Sequence, residues 1–139
     1  MREPDEVQIY ESMMGDASGT PTTGLLSAVR YLKDNRILPI GFDKRTADPD
    51  IAVLGAAYED ADFLGGVDRT RYEIRLDAES TSGPLTIDVG LWYQPIGYRW
   101  ARNLDSYTGA FEPERFVRYY DEMAAASALR IAGGEAAIP

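Results

Sequence analysis

The amino-acid sequence predicts a mainly-β fold, an antiparallel β-sandwich of jelly-roll-like form that carries a C-terminal α-helix. Three observations lead there. Leu85, Ile87, Val89, Leu91 and Tyr93 alternate with other residues, the period of a strand with one face in a core. Nine tyrosines stand against four phenylalanines, a preference for rings with one wet edge that suits sheet surfaces and interfaces. Clusters of Gly, Ser, Thr and Asp at 15–23, 59–68 and 80–84 punctuate the chain as turns between strands do.

Taken in order, Val7, Ile9 and Met13 share one face of a half-buried strand. After the loop at 15–23, Leu25, Leu26, Val29 and Leu32 recur at helical spacing behind Thr22 or Thr23 as N-cap. They predict a short helix near residues 24–33, with a strand as its rival because Gly24 weakens the helix. Pro39 makes Ile37–Phe42 an edge or an extended connection. Ile51–Tyr58 and Tyr72–Leu76 read as strands. The turn cluster at 80–84 joins the Tyr72 strand to Leu85–Gln94 as a hairpin. Pro113 suits a first helical turn, Glu112 and Glu114 suit its positive end, and Phe116, Val117, Tyr120 and Met123 follow at helical spacing. The prediction is one domain over 1–139: sandwich 6–104, helix 112–131 ended by Gly133-Gly134, and a loose tail 133–139.

Composition narrows the chemistry. Histidine and cysteine are both absent, which removes the usual general base near neutral pH and the thiolate nucleophile. No Ser–His triad can form. Acids outnumber bases 23 to 14, for a net charge of −9, and no basic cluster exists to displace counterions from phosphates. A nucleic-acid partner is therefore not expected, and no apolar run is long enough for membrane insertion.

Oxygen ligands remain. Asp60, Asp62 and Asp68 with Gly65-Gly66 between them form a candidate calcium loop, although the spacing is not that of an EF-hand and a tight turn prefers the same residues. Asp43, Asp48 and Asp50 are interrupted by Lys44 and Arg45 and read as a solvated loop. Asp16 reads as an Asx-type turn. Asp88 lies beside Thr86 and Trp92 on the face opposite the core set. Asp88, Trp92 and Trp100 are accordingly the candidate ligand-binding residues, for a sugar or a flat ligand. An outward polar Asp88 and buried tryptophans are the plainer alternative.

Several stretches together carry a family likeness: Val7-Gln8-Ile9-Tyr10-Glu11 with Gly15-Asp16, Tyr31 through Phe42, Asp50-Ile51-Ala52-Val53, Asp60-Ala61-Asp62-Phe63 with Gly66 and Asp68, and Leu91-Trp92-Tyr93-Gln94. Over residues 7 to 104 the chain resembles the C-terminal haem-free β-domain of bacterial extracytoplasmic multihaem cytochrome c-type proteins. The resemblance implies a periplasmic or extracellular location and a span excised from a larger chain. It also implies an adjacent multihaem domain as partner. No Cys-x-x-Cys-His occurs, so this segment attaches no c-type haem.

The expected function is a non-catalytic interaction or ligand-binding module that recognises a neighbouring domain, another protein or a glycan, with calcium in the 60–68 loop. The alternative is a small carboxylate-dependent carbohydrate-active enzyme or carbohydrate-binding module, which would need two carboxyls facing each other across a cleft.

Overall fold

A computed structural model describes residues 7–76 and 83–138. Its strands pair as two separate two-stranded antiparallel ribbons, so the predicted mainly-β sandwich is not formed. The chain divides into two units, Met1–Tyr72 and Glu73–Pro139.

In the first unit, strand β1 (Ser12–Gly15) pairs with β2 (Arg30–Asp34), with a register shift between Met13 and Met14. The expected strand from Val7 thus shortens to its last residues and extends to Gly15. Asp16 closes the loop after β1 as an Asx-type turn: its Oδ1 accepts the Ser18 N–H at 2.9 Å, the Ser18 hydroxyl at 2.6 Å and the Thr20 N–H at 3.0 Å. The Ser18 hydroxyl is the main reason this carboxyl lies below the ordinary range.

The helix expected near 24–33 is replaced by one turn and a strand. Ser27 and Ala28 donate to the Gly24 carbonyl, but Leu25 and Leu26 are fully exposed. A short helix needs tertiary burial of its apolar stripe, and these leucines find none. The ladder with β1 captures residues 30–34 instead.

The apolar run Ile51–Tyr58 is likewise not a strand. Pro49–Ile51 form a 3-10 turn and Ala56–Glu59 a single helical turn, α1. Gly55 sits between them at φ +84°, a backbone state that interrupts extension. Only Leu54 meets a strand, exchanging hydrogen bonds with Asp34 at 3.0 and 3.1 Å. Val53 turns inward with Leu38 and Phe63, and Tyr10, Phe42, Ala57 and Tyr58 pack around this small core. Buried Asn35 ties the N-terminal segment to it, donating to Ile9 O at 2.9 Å and accepting from Glu11 N–H at 3.0 Å.

In the second unit, β3 (Leu85–Tyr93) is the strand that alternation predicts, but its partner is β4 (Leu129–Ile138). Tyr72–Leu76 form no strand, and residues 77–82, which include 80–82 of the turn expected at 80–84, lie outside the described residues. Helices α2 (Tyr98–Leu104) and α3 (Phe111–Ser127) separate β3 from β4. The α3 start follows the predicted logic, with Pro113 in the first turn and Glu114 reaching back to the Gly109 N–H at 2.6 Å. α3 stops at Ser127, before the expected glycines. Gln94 Nε2 and the Ser127 hydroxyl both donate to the Ala124 carbonyl, at 3.1 and 2.9 Å, satisfying an orphan acceptor of the last turn.

Gly133-Gly134 therefore do not terminate a helix, and residues 133–138 are not a loose tail. They pair with Gly90, Val89 and the residues before them. α2 and α3 pack on each other through buried Ala101 and Val117, an Arg102–Asp121 ion pair and an edge-to-face contact of Trp100 with Phe116 at 5.5 Å.

Candidate functional site

The ribbon β3–β4 brings together what the sequence separates by forty residues. Its ladder sets Asp88 opposite Glu135, Gly90 opposite Gly133 and Trp92 opposite Arg130. These six residues share one face, because side chains alternate along a strand. The register shift between Leu91 and Trp92 leaves Ile131 as the extra residue of a bulge.

Two glycines form the floor. A Cβ at Gly90 would stand 2.5 Å from the Trp92 indole nitrogen, and one at Gly133 would run into the Arg130 guanidinium. Without side chains at 90 and 133, Trp92 and Arg130 lie along the ribbon. Arg130 reaches Asp88 at 2.7 Å, donates to the Val89 carbonyl at 3.2 Å and covers the Trp92 ring at 5.9 Å. Asp88, Arg130 and Glu135 border an open recess of about 420 Å³ over residues 131–134. Three charged groups converge there, and the Trp92 ring lies beneath Arg130 on the same exposed face.

The opposite face is the one expected to be a core. Leu85, Ile87 and Leu91 are only half-buried, while Val89 and Tyr93 are more than half exposed. Every residue of β4 is exposed, and among the described residues of this unit only Ala101 and Val117 are buried. Trp100, expected with Asp88 and Trp92, lies on α2 against Phe116. Arg130 is the residue the sequence reading missed. Its only signal was a lone cation in an apolar, glycine-bearing stretch, and the misplaced helix concealed it.

The 60–68 loop is held by its own donors and cations. Asp60 Oδ1 accepts the Asp62 N–H at 2.9 Å, and the buried Lys44 ammonium donates to the Asp60 carbonyl. Asp62 stands 3.8 Å from Arg69. Asp68 accepts the Tyr10 hydroxyl at 2.6 Å and the Arg69 N–H at 2.7 Å. Among the described residues, no three acids gather as a metal-binding group. Gly65-Gly66 serve packing: a Cβ at Gly65 would stand 2.6 Å from the Phe42 carbonyl oxygen, and Gly66 takes φ +85° while bonding the Leu38 carbonyl at 2.9 Å. A ligand bound only by the folded state raises stability. Because protein donors already close this loop, excess chelator is expected to leave the melting temperature unchanged. A reproducible fall, reversed by calcium, would refute that.

The Tyr10–Asp68 bond carries a pH signature. Burial first, and then the Asp68 hydrogen bond, push the Tyr10 hydroxyl above its ordinary value. A raised folded-state value means that the bond contributes stability below the ordinary tyrosine pKa of about 10. That stability disappears as pH rises through the raised value. Tyr10→Phe is therefore expected to flatten the alkaline limb of a stability profile and leave its neutral slope alone. An unchanged alkaline limb would count against this bond.

No family model, curated protein or solved structure matches the chain. Among the described residues, no helix is long and apolar enough to cross a membrane.

Proposed function

We propose that this chain is a non-catalytic interaction module that meets another protein through the β3–β4 ribbon. One observation carries the reading: on the face of the ribbon opposite Trp92, Val89, Tyr93, Leu129 and Ile138 are all exposed. Monomeric proteins rarely leave so much contiguous apolar surface uncovered, and such patches mark interaction sites. On the other face, the Asp88–Arg130 pair beside Trp92 adds polar and aromatic contacts of the kind interfaces favour.

The proposed setting, taken from the family likeness, is extracytoplasmic, with an adjacent multihaem domain of a larger chain as the neighbour. A haem-stained native gene product in the periplasmic fraction would support that setting. A haem-free cytoplasmic chain would overturn it.

Carbohydrate binding is the second reading, favoured by exposed Trp92 beside a carboxylate. Protein contact is the better fit, because Arg130 already covers the ring and occupies Asp88. Asp88 and Glu135 are neighbours on one ladder, not opposite walls of a cleft, so hydrolysis is not the preferred chemistry.

The test places a photo-crosslinking residue at Trp92 or Tyr93 in the native host, with Leu25 as the control position. Protein adducts from the ribbon positions alone support the reading. Adducts from neither ribbon position, or glycan binding lost on Trp92→Ala, would overturn it.

A further inference from the structure

We propose that the open edge of β4 pairs with the same edge of a second copy of this chain. The product is a four-stranded antiparallel sheet, β3–β4–β4–β3, about a two-fold axis at Gly133. The inference rests on the ribbon being an interaction surface and names its occupant.

The edge itself is the first argument. β4 runs for ten residues, is bonded only to β3 among the described strands, and is exposed throughout. Leu129–Ile138 contains no lysine and no proline, the residues that ordinarily blunt such an edge. A lone two-stranded ribbon is marginal in water, and three or more strands are needed for independent stability.

Charge complementarity selects the second copy. A two-fold axis normal to the sheet at Gly133 sets that residue against itself and Ala132 against Gly134. In a regular strand Arg130 and Glu135, five apart, would lie on opposite faces. The bulge at Ile131 removes one position and puts both on the face of Asp88 and Trp92. Continuing the register across that bulge, Arg130 of each copy meets Glu135 of the other. Two ion pairs form, related by symmetry, as an isologous interface requires. The ladder also sets Asp88 directly against Glu135, a like-charge pair that is unfavourable by itself. Arg130 of the second copy arrives on the open side of that pair.

Other pairings lack this match. The only charge on β3 is Asp88, so β3 against β3 brings no cation and, centred on Asp88, opposes acid to acid. Pairing β3 with β4 of another copy is head-to-tail and forms no two-fold dimer.

Sedimentation of the intact chain across micromolar concentrations tests this, with Glu135→Arg as the key variant. Within one chain that change gives Asp88 an opposite charge and preserves the ladder, which circular dichroism checks. Between copies it sets cation against cation. The expected results are a dimer, weakened about ten-fold or more by Glu135→Arg and restored when Arg130→Glu is added. Amide exchange should show protection over 129–138 that grows with concentration. A monomer throughout, or a dimer indifferent to Glu135→Arg with β4 unprotected, overturns the proposal. If the monomer's ribbon still crosslinks to a different protein, the two-fold pairing fails while the interaction reading stands. Loss of both refutes both.

Discussion

Phe63→Ala is expected to destabilise the first unit by about 3–5 kcal/mol, as large-to-small changes at fully buried aromatic positions do. Phe63 is 2% exposed and belongs to a core whose other buried members, among the described residues, are Leu38 and Val53. Tyr10 stacks on it with ring centroids 6.5 Å apart, and the Lys44 ammonium stands 5.7 Å from its centroid. Removing the ring leaves a cavity that Tyr10 and Lys44 cannot fill without leaving their own hydrogen bonds. Natural domains hold only about 5–15 kcal/mol in total, so much of the unit's stability would be lost. Urea denaturation followed by tyrosine fluorescence measures it. Phe111→Ala, at an exposed aromatic on α3, is the comparator and should change stability by no more than about 0.5 kcal/mol. Equal effects at the two positions would refute the assignment of the core to Phe63.

Lys44→Met is the second large effect, expected at about 2–3 kcal/mol. Lys44 is 7% exposed, yet among the described residues no carboxylate is its partner. Its ammonium donates to the Ala57 carbonyl at 2.9 Å and to the Asp60 carbonyl, both at the C-terminal end of α1. Orphan carbonyls there carry partial negative charge, and a cation satisfies them. Methionine keeps most of the apolar stem but leaves two carbonyls unpaired against the core. Lys33→Met provides the contrast. That ammonium bonds Ile9 O at 3.0 Å and Glu11 at 3.3 Å while partly solvated, so water can replace it and the loss should stay near 1 kcal/mol or below. A Lys44→Met effect no larger than that of Lys33→Met would sink the capping role.

Lys44 also shows where reading residues in order fails. The spacing Asp43-Lys44-Arg45 suggests local pairing in a solvated loop. Asp43 does cap its own turn, through the Arg45 N–H at 2.9 Å and the Thr46 hydroxyl at 3.0 Å. Arg45 goes instead to Tyr58 and Glu59. Lys44 turns inward to carbonyls more than ten residues away, a contact that no local pattern encodes. The candidate site divides in the same way. Alternation placed Asp88 and Trp92 on one face of a strand, and that holds. Arg130, the residue that joins them, came from a segment read as helix and tail.

Where energetics are local, the sequence by itself determined the outcome. The Asx turn at Asp16, the β3 strand and the proline and acids at the start of α3 follow from hydrogen bonds and torsions within a few residues. Tertiary structure decided which strand β3 would choose, where α3 would stop and whether 24–33 would be helix. Each depends on partners distant in sequence: Leu129–Ile138 for β3, Gln94 for the end of α3, and β1 for residues 30–34. Pairing free energy from such remote segments outweighs propensities of a few tenths of a kcal/mol per residue, and for that reason the strands formed two ribbons instead of a sandwich.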